Sequence, residues 1–89
     1  GYNCVACSPK IHDGLNLEPM LNSETKMVED SYIFPKRCEG LNSVVHGGYI
    51  GMILDEIMGY AVILQRNKLP LTREMTIKFH RPVLVGNQY

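Results

Sequence analysis

The sequence predicts an α+β domain with one long helix, and two features of the 89-residue chain carry that prediction. The first is an apolar run from Gly48 to Leu64, which is too long for a strand and has the length of a buried helix. The second is the stretch TREMTIKFH, where Met75, Ile77 and Phe79 alternate with polar residues as in a half-buried strand. We expect one domain over residues 1–89, because a chain of this length does not support two.

The first half of the chain predicts an irregular leader followed by two paired strands. Residues 1–14 are rich in turn formers and should lack regular structure. Leucines that alternate over residues 15–21 indicate a short strand, which Pro19 interrupts. A turn at residues 22–24 then leads into a second strand over 25–34, which should pair with the first.

The second half predicts a loop, the long helix and a final strand. A loop over residues 35–47 follows the second strand, because Pro35 cannot donate a ladder hydrogen bond. The helix is expected over residues 48–66 and ends at NKLP, since the residue before a proline is pushed out of the helical region. The final strand, 72–80, is closed by Arg81-Pro82, and VLVGNQY should begin a further connection.

Composition and charge exclude several classes of partner. Nine lysines and arginines balance nine acids and are scattered along the chain, so nucleic acid is not expected as a partner. The apolar run approaches membrane-spanning length, but Asp55 and Glu56 at its centre would each cost about 2.5–3.5 kcal/mol on insertion scales. We therefore expect no membrane span. An odd cysteine count and a start unlike a secretory signal favour the cytoplasm.

The predicted helix has more apolar surface than the three predicted strands can bury. A helix that is apolar on every side must be packed against a sheet or a partner subunit. Three short strands are too few to surround it. We therefore expect that the domain is incomplete over these 89 residues or forms a homo-oligomer, a dimer or a dimer of dimers.

The segment HGGYIGMILDEIMG, residues 46–59, carries the candidate chemistry. The first amides of a helix have no internal partners, lie at the positive end of the dipole and suit a developing oxyanion, and glycine lets a ligand approach closely. Asp55 follows Gly48 by seven residues, about 10 Å along the axis, too far to act on the same carbonyl within one subunit. The plain alternative is that Asp55 reaches solvent at the helix edge. Glu56 is expected to be solvated or to support the site without reacting itself.

Three stretches together resemble one enzyme family. HGGYIGMILDEIMG, LTREMTIKFHRPVLVG and CVACSPKIHDGLNLE are similar to motifs of the phenylacetate-degradation-type acyl-CoA thioesterases, in the 4-hydroxybenzoyl-CoA thioesterase superfamily. The resemblance implies a hotdog fold, an antiparallel sheet wrapped around a long central helix, with further strands after Gly86. It also implies hydrolysis of an acyl-CoA to a free acid and CoA, without a cofactor.

The resemblance also implies a role for four residues. The amide of Gly47 would polarise the thioester carbonyl, and Asp55 of the partner subunit would act as general base or as nucleophile. His46 would orient the loop or help to hold the thioester. Thr72 would place a hydroxyl near the attacking water, although its parity is opposite to that of Met75, so a bulge or sheet curvature must turn it.

Substrate-binding residues are expected in the loop and at the helix start. Gly48 accompanies Gly47 at the thioester. Relatives often carry an asparagine or glutamine before His-Gly-Gly; Glu39 fits that position best, and Asn42 offers an amide at a different spacing.

Metal binding is not expected. Cys4 and Cys7 could join His12 and Cys38 around zinc in principle, but these four residues do not make a familiar ligand spacing. We expect Cys4 and Cys7 to be free thiols that contribute to packing. Two alternatives to an active thioesterase stay open: a hotdog domain that binds acyl-CoA without turnover, and an inactive truncated relative.

Overall fold

Two short strands precede one long helix in this chain. A computed structural model describes residues 3–89 and contains β1 (Met20–Leu21), β2 (Val28–Glu29) and α1 (Gly47–Arg66), with a 3-10 turn at Lys36–Cys38. The two-stranded sheet and the helix confirm the α+β class expected from the sequence.

The strands form the predicted antiparallel hairpin, with Leu21 opposite Val28. The side-chain oxygen of Asn22 accepts hydrogen bonds from the backbone N–H groups of Glu24 and Thr25, at 2.9 and 3.1 Å. Such a side-chain bond to the following backbone stabilises a tight turn. The turn predicted at residues 22–24 is therefore present.

Both strands are shorter than predicted, because neighbouring residues bond elsewhere. Leu15 and Leu17 do not pair with β2; their N–H groups donate to the carbonyls of Val5 and Ala6, each at 2.8 Å. The leader is therefore held against residues 15–17, although it forms no helix or strand over residues 3–14. Its first two residues lie outside the described part of the chain.

The helix begins one residue before the predicted start and ends where expected. His46 is its N-cap and has an extended backbone conformation. Asn67 ends it in the left-handed region, with φ of 53°, and donates its N–H to the carbonyl of Ile63 at 3.0 Å. Asparagine is one of the few residues besides glycine that adopts this helix-ending conformation readily.

The buried core covers only part of α1. Leu15, Phe34, Cys38 and Val45 form the buried cluster, and the helix residues packed against it are Tyr49, Ile50, Met52 and Ile53. All four lie in the first half of α1. No residue of the helix is buried, so the expectation of a buried helix is wrong within this chain. The reason is that no sheet in residues 3–89 reaches its second half.

The last residues return to the core, and the further connection expected from VLVGNQY stays a prediction. Val45 donates its N–H to the carbonyl of Val83 at 2.7 Å, and Tyr32 and Tyr89 exchange two backbone hydrogen bonds of 2.7 and 2.8 Å. Isolated antiparallel bridges accompany these bonds, including one between Val44 and Leu84. Residues 83–89 thus form hydrogen bonds with the loop that precedes α1, without forming a regular strand.

The final strand predicted over residues 72–80 is not formed as part of a ladder. Residues 67–80 have no regular secondary structure and no strand partner among the described residues. They lie instead beside α1, as detailed below. Alternation in the sequence therefore predicted the side-chain pattern of Met75, Ile77 and Phe79, but not a paired backbone, because pairing needs a neighbour that residues 3–89 do not supply.

Candidate functional site

The N-terminal end of α1 leaves one backbone donor open. The Nδ1 atom of His46 accepts a hydrogen bond from the N–H of Gly48 at 2.9 Å, so the amide of Gly48 is already engaged. The N–H of Gly47 donates to no group in residues 3–89. Unpaired amides at a helix start carry partial positive charge. Gly47, and not Gly48, therefore offers the available donor.

His46 is fixed by the loop that precedes it. Its N–H donates to the carbonyl of Cys38 at 2.8 Å, and its Cα and Cβ lie so close to Gly40 that a side chain there would meet them at 3.2–3.3 Å. An Nδ1 acceptor requires the imidazole proton on Nε2 in the neutral ring. His46 thus orients the start of α1, while its other nitrogen stays free for a ligand.

A cavity of about 350 Å³ opens beside Gly47. Its lining is mostly apolar and includes Val45, Ile50, Phe79 and Pro82, with the charged side chain of Arg81 at one side. The ring of Phe79 lies closest to Gly47, where an added Cβ would meet it at 3.4 Å. Gly47, whose amide has no partner in residues 3–89, therefore lines a space that can take an apolar group.

Asp55 is paired with Thr72. The hydroxyl of Thr72 donates a short hydrogen bond to Oδ1 of Asp55. The two residues also line a cavity of about 240 Å³ beside the second half of α1. The structure therefore brings together two of the residues that the sequence singled out.

A row of small residues on α1 explains how Thr72 reaches the helix. Positions 47, 51, 55 and 59 are spaced by four residues and follow one face; all are glycine except Asp55. Residues 70–79 run along this row in the opposite direction, with Phe79 near Gly47, Ile77 near Gly51 and Pro70 near Gly59. Thr72 and Ile77 both face α1 despite their opposite parity, so the strict alternation breaks between them.

The remaining candidates are not brought to Asp55. Glu39 accepts a hydrogen bond from the N–H of Ser43 at 2.6 Å and so closes the loop before α1. Glu39 and Asn42 line a separate cavity of about 510 Å³ on the other side of that loop. Within one subunit, Gly47 and Asp55 are also about 12 Å apart along the helix axis and line different cavities.

A second polar cluster joins the leader to α1. Cys4 Sγ donates to the carboxylate of Glu56, at 3.4 Å from Oε1, and Cys7 lies in the same group. Burial is the main cause that raises the pKa of the Cys7 thiol to about 12. A hydrogen bond with Cys7 is the main cause that raises the pKa of Tyr60 to about 12.

The four-residue zinc set considered from the sequence is not assembled. His12 is 97% exposed and lies beside Asp13 at 3.3 Å, while Cys38 is fully buried in the core. Neither belongs to the cluster of Cys4 and Cys7.

Residues 42–89, more than half of the chain, match the family described as the thioesterase superfamily. The chain belongs to the thioesterase superfamily. No curated protein and no solved structure matches it. Membership confirms the superfamily expected from the motifs, fits the hotdog fold and suggests thioester hydrolysis in general. The matched region contains His46, Gly47, Asp55 and Thr72.

Two further residues of this thioesterase-superfamily chain approach the leader thiols. Glu56 was expected to be solvated or to support the site, and Tyr60 was not considered. Their spacing of four residues places them on one face of a helix, which was a usable signal. The position of Cys4 and Cys7 over that face was not readable, because it depends on how the leader folds back.

Proposed function

We propose that this chain hydrolyses acyl-CoA thioesters to a free acid and CoA, with Asp55 as its reacting carboxylate. The observation that carries the proposal is the hydrogen bond between Thr72 and Asp55 in the middle of a mostly apolar helix. An acid at this position breaks the apolar pattern of the helix, and such local conflicts are expected at functional sites. Superfamily membership supports the same reaction class.

The proposed role of Gly47 is to stabilise charge on the thioester oxygen. As water adds to the carbonyl carbon, the oxygen gains negative charge, and a fixed amide at a helix start stabilises that charge more than it stabilises the substrate. The open N–H of Gly47 at the apolar cavity fits this role. Gly48 contributes by leaving space for the His46 ring, which an added Cβ would meet at 3.1 Å, and its own amide is bonded to His46.

The proposed role of Asp55 is to accept a proton from water or to attack the carbonyl itself. Thr72 occupies Oδ1, which leaves Oδ2 for the water or the substrate. In the general-base route, Asp55 takes a proton as the water oxygen bonds to carbon. The carbon–sulfur bond then breaks, and the CoA thiolate takes up that proton. In the nucleophilic route, an Asp55 oxygen bonds to the carbonyl carbon, the carbon–sulfur bond breaks and CoA leaves as a thiolate. Water then hydrolyses the mixed anhydride to the free acid and the Asp55 carboxylate, and the proton released goes to the thiolate.

We propose that the site is shared between two subunits. Gly47 and Asp55 of one subunit are too far apart to act on one carbonyl, so a second copy must bring its Asp55 to the first copy's Gly47. The open surface supports this pairing: Leu54 and Met58 on α1 are exposed, and Leu69 and Leu71 are 87% and 92% exposed. Exposed apolar surface of this extent favours an interface. A dimer, or a dimer of dimers, is the proposed assembly.

We further propose that the protein is a cytoplasmic enzyme and not a membrane protein. By length and composition alone, α1 could cross a membrane. Two adjacent acids at its centre and an interface between subunits favour the soluble state. Nucleic acid is not a proposed partner, because the formal net charge is zero.

The test is turnover of short, aromatic and long acyl-CoAs by a variant that changes only the charge of Asp55. Asp55→Asn should lower kcat by about 10²-fold or more, because a general base or nucleophile is lost. Asp13→Asn is the matched control: Asp13 is exposed in the leader with φ of 60°, a conformation that asparagine adopts readily. Unchanged kcat in folded Asp55→Asn would overturn the proposal, and binding of acyl-CoA without turnover by the unaltered chain would favour the non-catalytic alternative.

The contribution of Thr72 is tested by a pair of variants. Thr72→Val removes the hydroxyl at nearly constant size, and Thr72→Ser keeps it. If the hydroxyl positions Asp55, Thr72→Val should lower kcat by about 10-fold, in line with one hydrogen bond to a charged group, and Thr72→Ser should restore most of it. If Thr72→Val and Thr72→Ser have the same kcat, the hydroxyl of Thr72 does not position Asp55.

A further inference from the structure

We propose that Cys4, Cys7 and Glu56 form a zinc-binding site that fastens the leader to α1. One sulfur atom from each cysteine and one carboxylate oxygen lie within 4.8 Å of one another. The three residues come from two parts of the chain that are about fifty residues apart, so their meeting is a product of the fold and not of local sequence.

The distance between Cys4 and Glu56 matches that between two ligands of a tetrahedral zinc centre. Zinc–sulfur bonds of about 2.3 Å and zinc–oxygen bonds of about 2.0 Å place a sulfur and an oxygen ligand about 3.5 Å apart. Cys4 Sγ lies 3.4 and 3.6 Å from the two carboxylate oxygens of Glu56. A zinc ion could therefore replace the thiol proton between these groups with little movement of either side chain.

The backbone of the Cys-x-x-Cys turn is held without any metal. Val5 and Ala6, the two residues between the cysteines, accept the N–H groups of Leu15 and Leu17 at 2.8 Å. Ser8 donates its N–H to the carbonyl of Cys4 at 2.9 Å, which closes the turn around both thiols. A preformed turn lowers the entropy lost when the ligands are ordered, and this favours binding.

The donor set selects zinc and leaves one position open. Thiolates prefer soft or borderline ions such as zinc to magnesium or calcium. Zinc would displace one proton from each thiol, and the two thiolates with the Glu56 carboxylate would give a centre of net charge −1. Water would complete the tetrahedron, as is usual with three protein ligands.

The proposed zinc site lies next to Asp55, the proposed reacting carboxylate. Glu56 follows Asp55 directly, and one cavity of about 210 Å³ is lined by Asp55, Glu56, Tyr60 and Thr72. Zinc would anchor the leader to the turn of α1 that carries Asp55. The zinc site would thus hold the leader in place beside the proposed reacting carboxylate.

The experiment measures zinc binding by the full 89-residue chain under reducing conditions. Zinc content after dialysis gives the stoichiometry, and cobalt substitution reports thiolate ligation through charge-transfer absorption in the near ultraviolet. We expect one zinc per chain, a thiolate–cobalt band and a higher Tm with zinc than with a chelator. Absence of stoichiometric zinc in the reduced, unaltered chain would overturn the proposal.

Variants assign the ligands. Cys4→Ser with Cys7→Ser should abolish binding, and Glu56→Gln, which keeps the shape of the side chain, should weaken it by more than the 10–100-fold typical of residues that only support a ligand. His12→Ala is the matched control and should retain zinc, since His12 is exposed and outside the cluster. Loss of zinc in His12→Ala, or unchanged affinity in folded Glu56→Gln, would contradict the assignment. These readouts do not depend on thioesterase activity.

Discussion

Two regions of the molecule differ in how they are held together. The core region, residues 32–53 and 83–89, pairs its backbone internally: Val45 bonds to Val83 and Tyr32 to Tyr89. The open region, α1 from Leu54 onward with residues 69–80, has no ladder and no buried side chain. Local hydrogen bonds and one apolar cluster are enough to complete the first region. The second leaves apolar side chains such as Leu69 and Leu71 exposed.

The two regions also carry different halves of the proposed chemistry. Gly47 belongs to the core region, where His46 and the preceding loop fix the helix start. Asp55 belongs to the open region, where Thr72 is its hydrogen-bond partner. A rigid oxyanion donor and a carboxylate at an uncovered surface fit a site that is completed when two subunits meet.

The largest expected effect comes from removing a side chain of the core region. Phe34→Ala should lower the free energy of unfolding by about 3–5 kcal/mol, because Phe34 is buried in the central cluster. Leu71→Ala, in the open region, should change the stability of the monomer by less than about 0.5 kcal/mol. Chemical denaturation at two protein concentrations separates the two terms, since only stabilisation from a partner depends on concentration. If both variants lose the same free energy of unfolding at low protein concentration, the two regions do not differ as described.

The next largest effect is on kcat, and it tests the backbone N–H of Gly47 alone. Gly47 is the first residue of α1, a position where proline is tolerated although it has no N–H. Gly47→Pro should lower kcat by about 10²–10³-fold, the usual loss when one oxyanion donor is removed. Gly47→Ala keeps the amide, and its Cβ would meet Phe79 at an ordinary 3.4 Å, so kcat should change far less. Similar kcat for both variants would show that the amide is not the donor.

The smallest effect is a loss of stability at alkaline pH, measured on metal-free protein in the presence of a chelator. The pKa of Cys7 is raised from 9.0 to about 12, so the folded state favours the neutral thiol. That contribution is fully present below pH 9 and is lost as the pH rises from 9 towards 12. The raised pKa of Tyr60 acts in the same direction. Cys7→Ser, compared with the unaltered chain by Tm at pH 8 and pH 10.5, should show a smaller decline. An identical decline would exclude Cys7 as a cause.

Sequence predicted the elements that depend on neighbours along the chain. The Asn22 turn, the end of α1 before NKLP and the His-Gly-Gly helix start all follow from local backbone preferences. The carboxylate at position 55 was also singled out, because an acid in an apolar helix is a conflict that a function can explain.

Features that depend on distant packing were not predictable in the same way. The strand expected over residues 72–80 had the right alternation but no partner, because pairing is a property of the sheet and not of the strand. The return of residues 83–89 to Tyr32 and Val45 had no local signal. The contact of Cys4 with Glu56 joins the leader to α1 across the fold.

The central claim is that one active site uses Gly47 from one subunit and Asp55 from another, and mixing two inactive variants tests it directly. Gly47→Pro and Asp55→Asn chains, each inactive alone, are unfolded together and refolded as a mixture. Half of the resulting dimers should be mixed, and each mixed dimer regains one intact site of two, about a quarter of wild-type kcat per chain. If both groups act within one subunit, or if the chain stays monomeric, the mixture will be no more active than either variant, and that result would contradict the account.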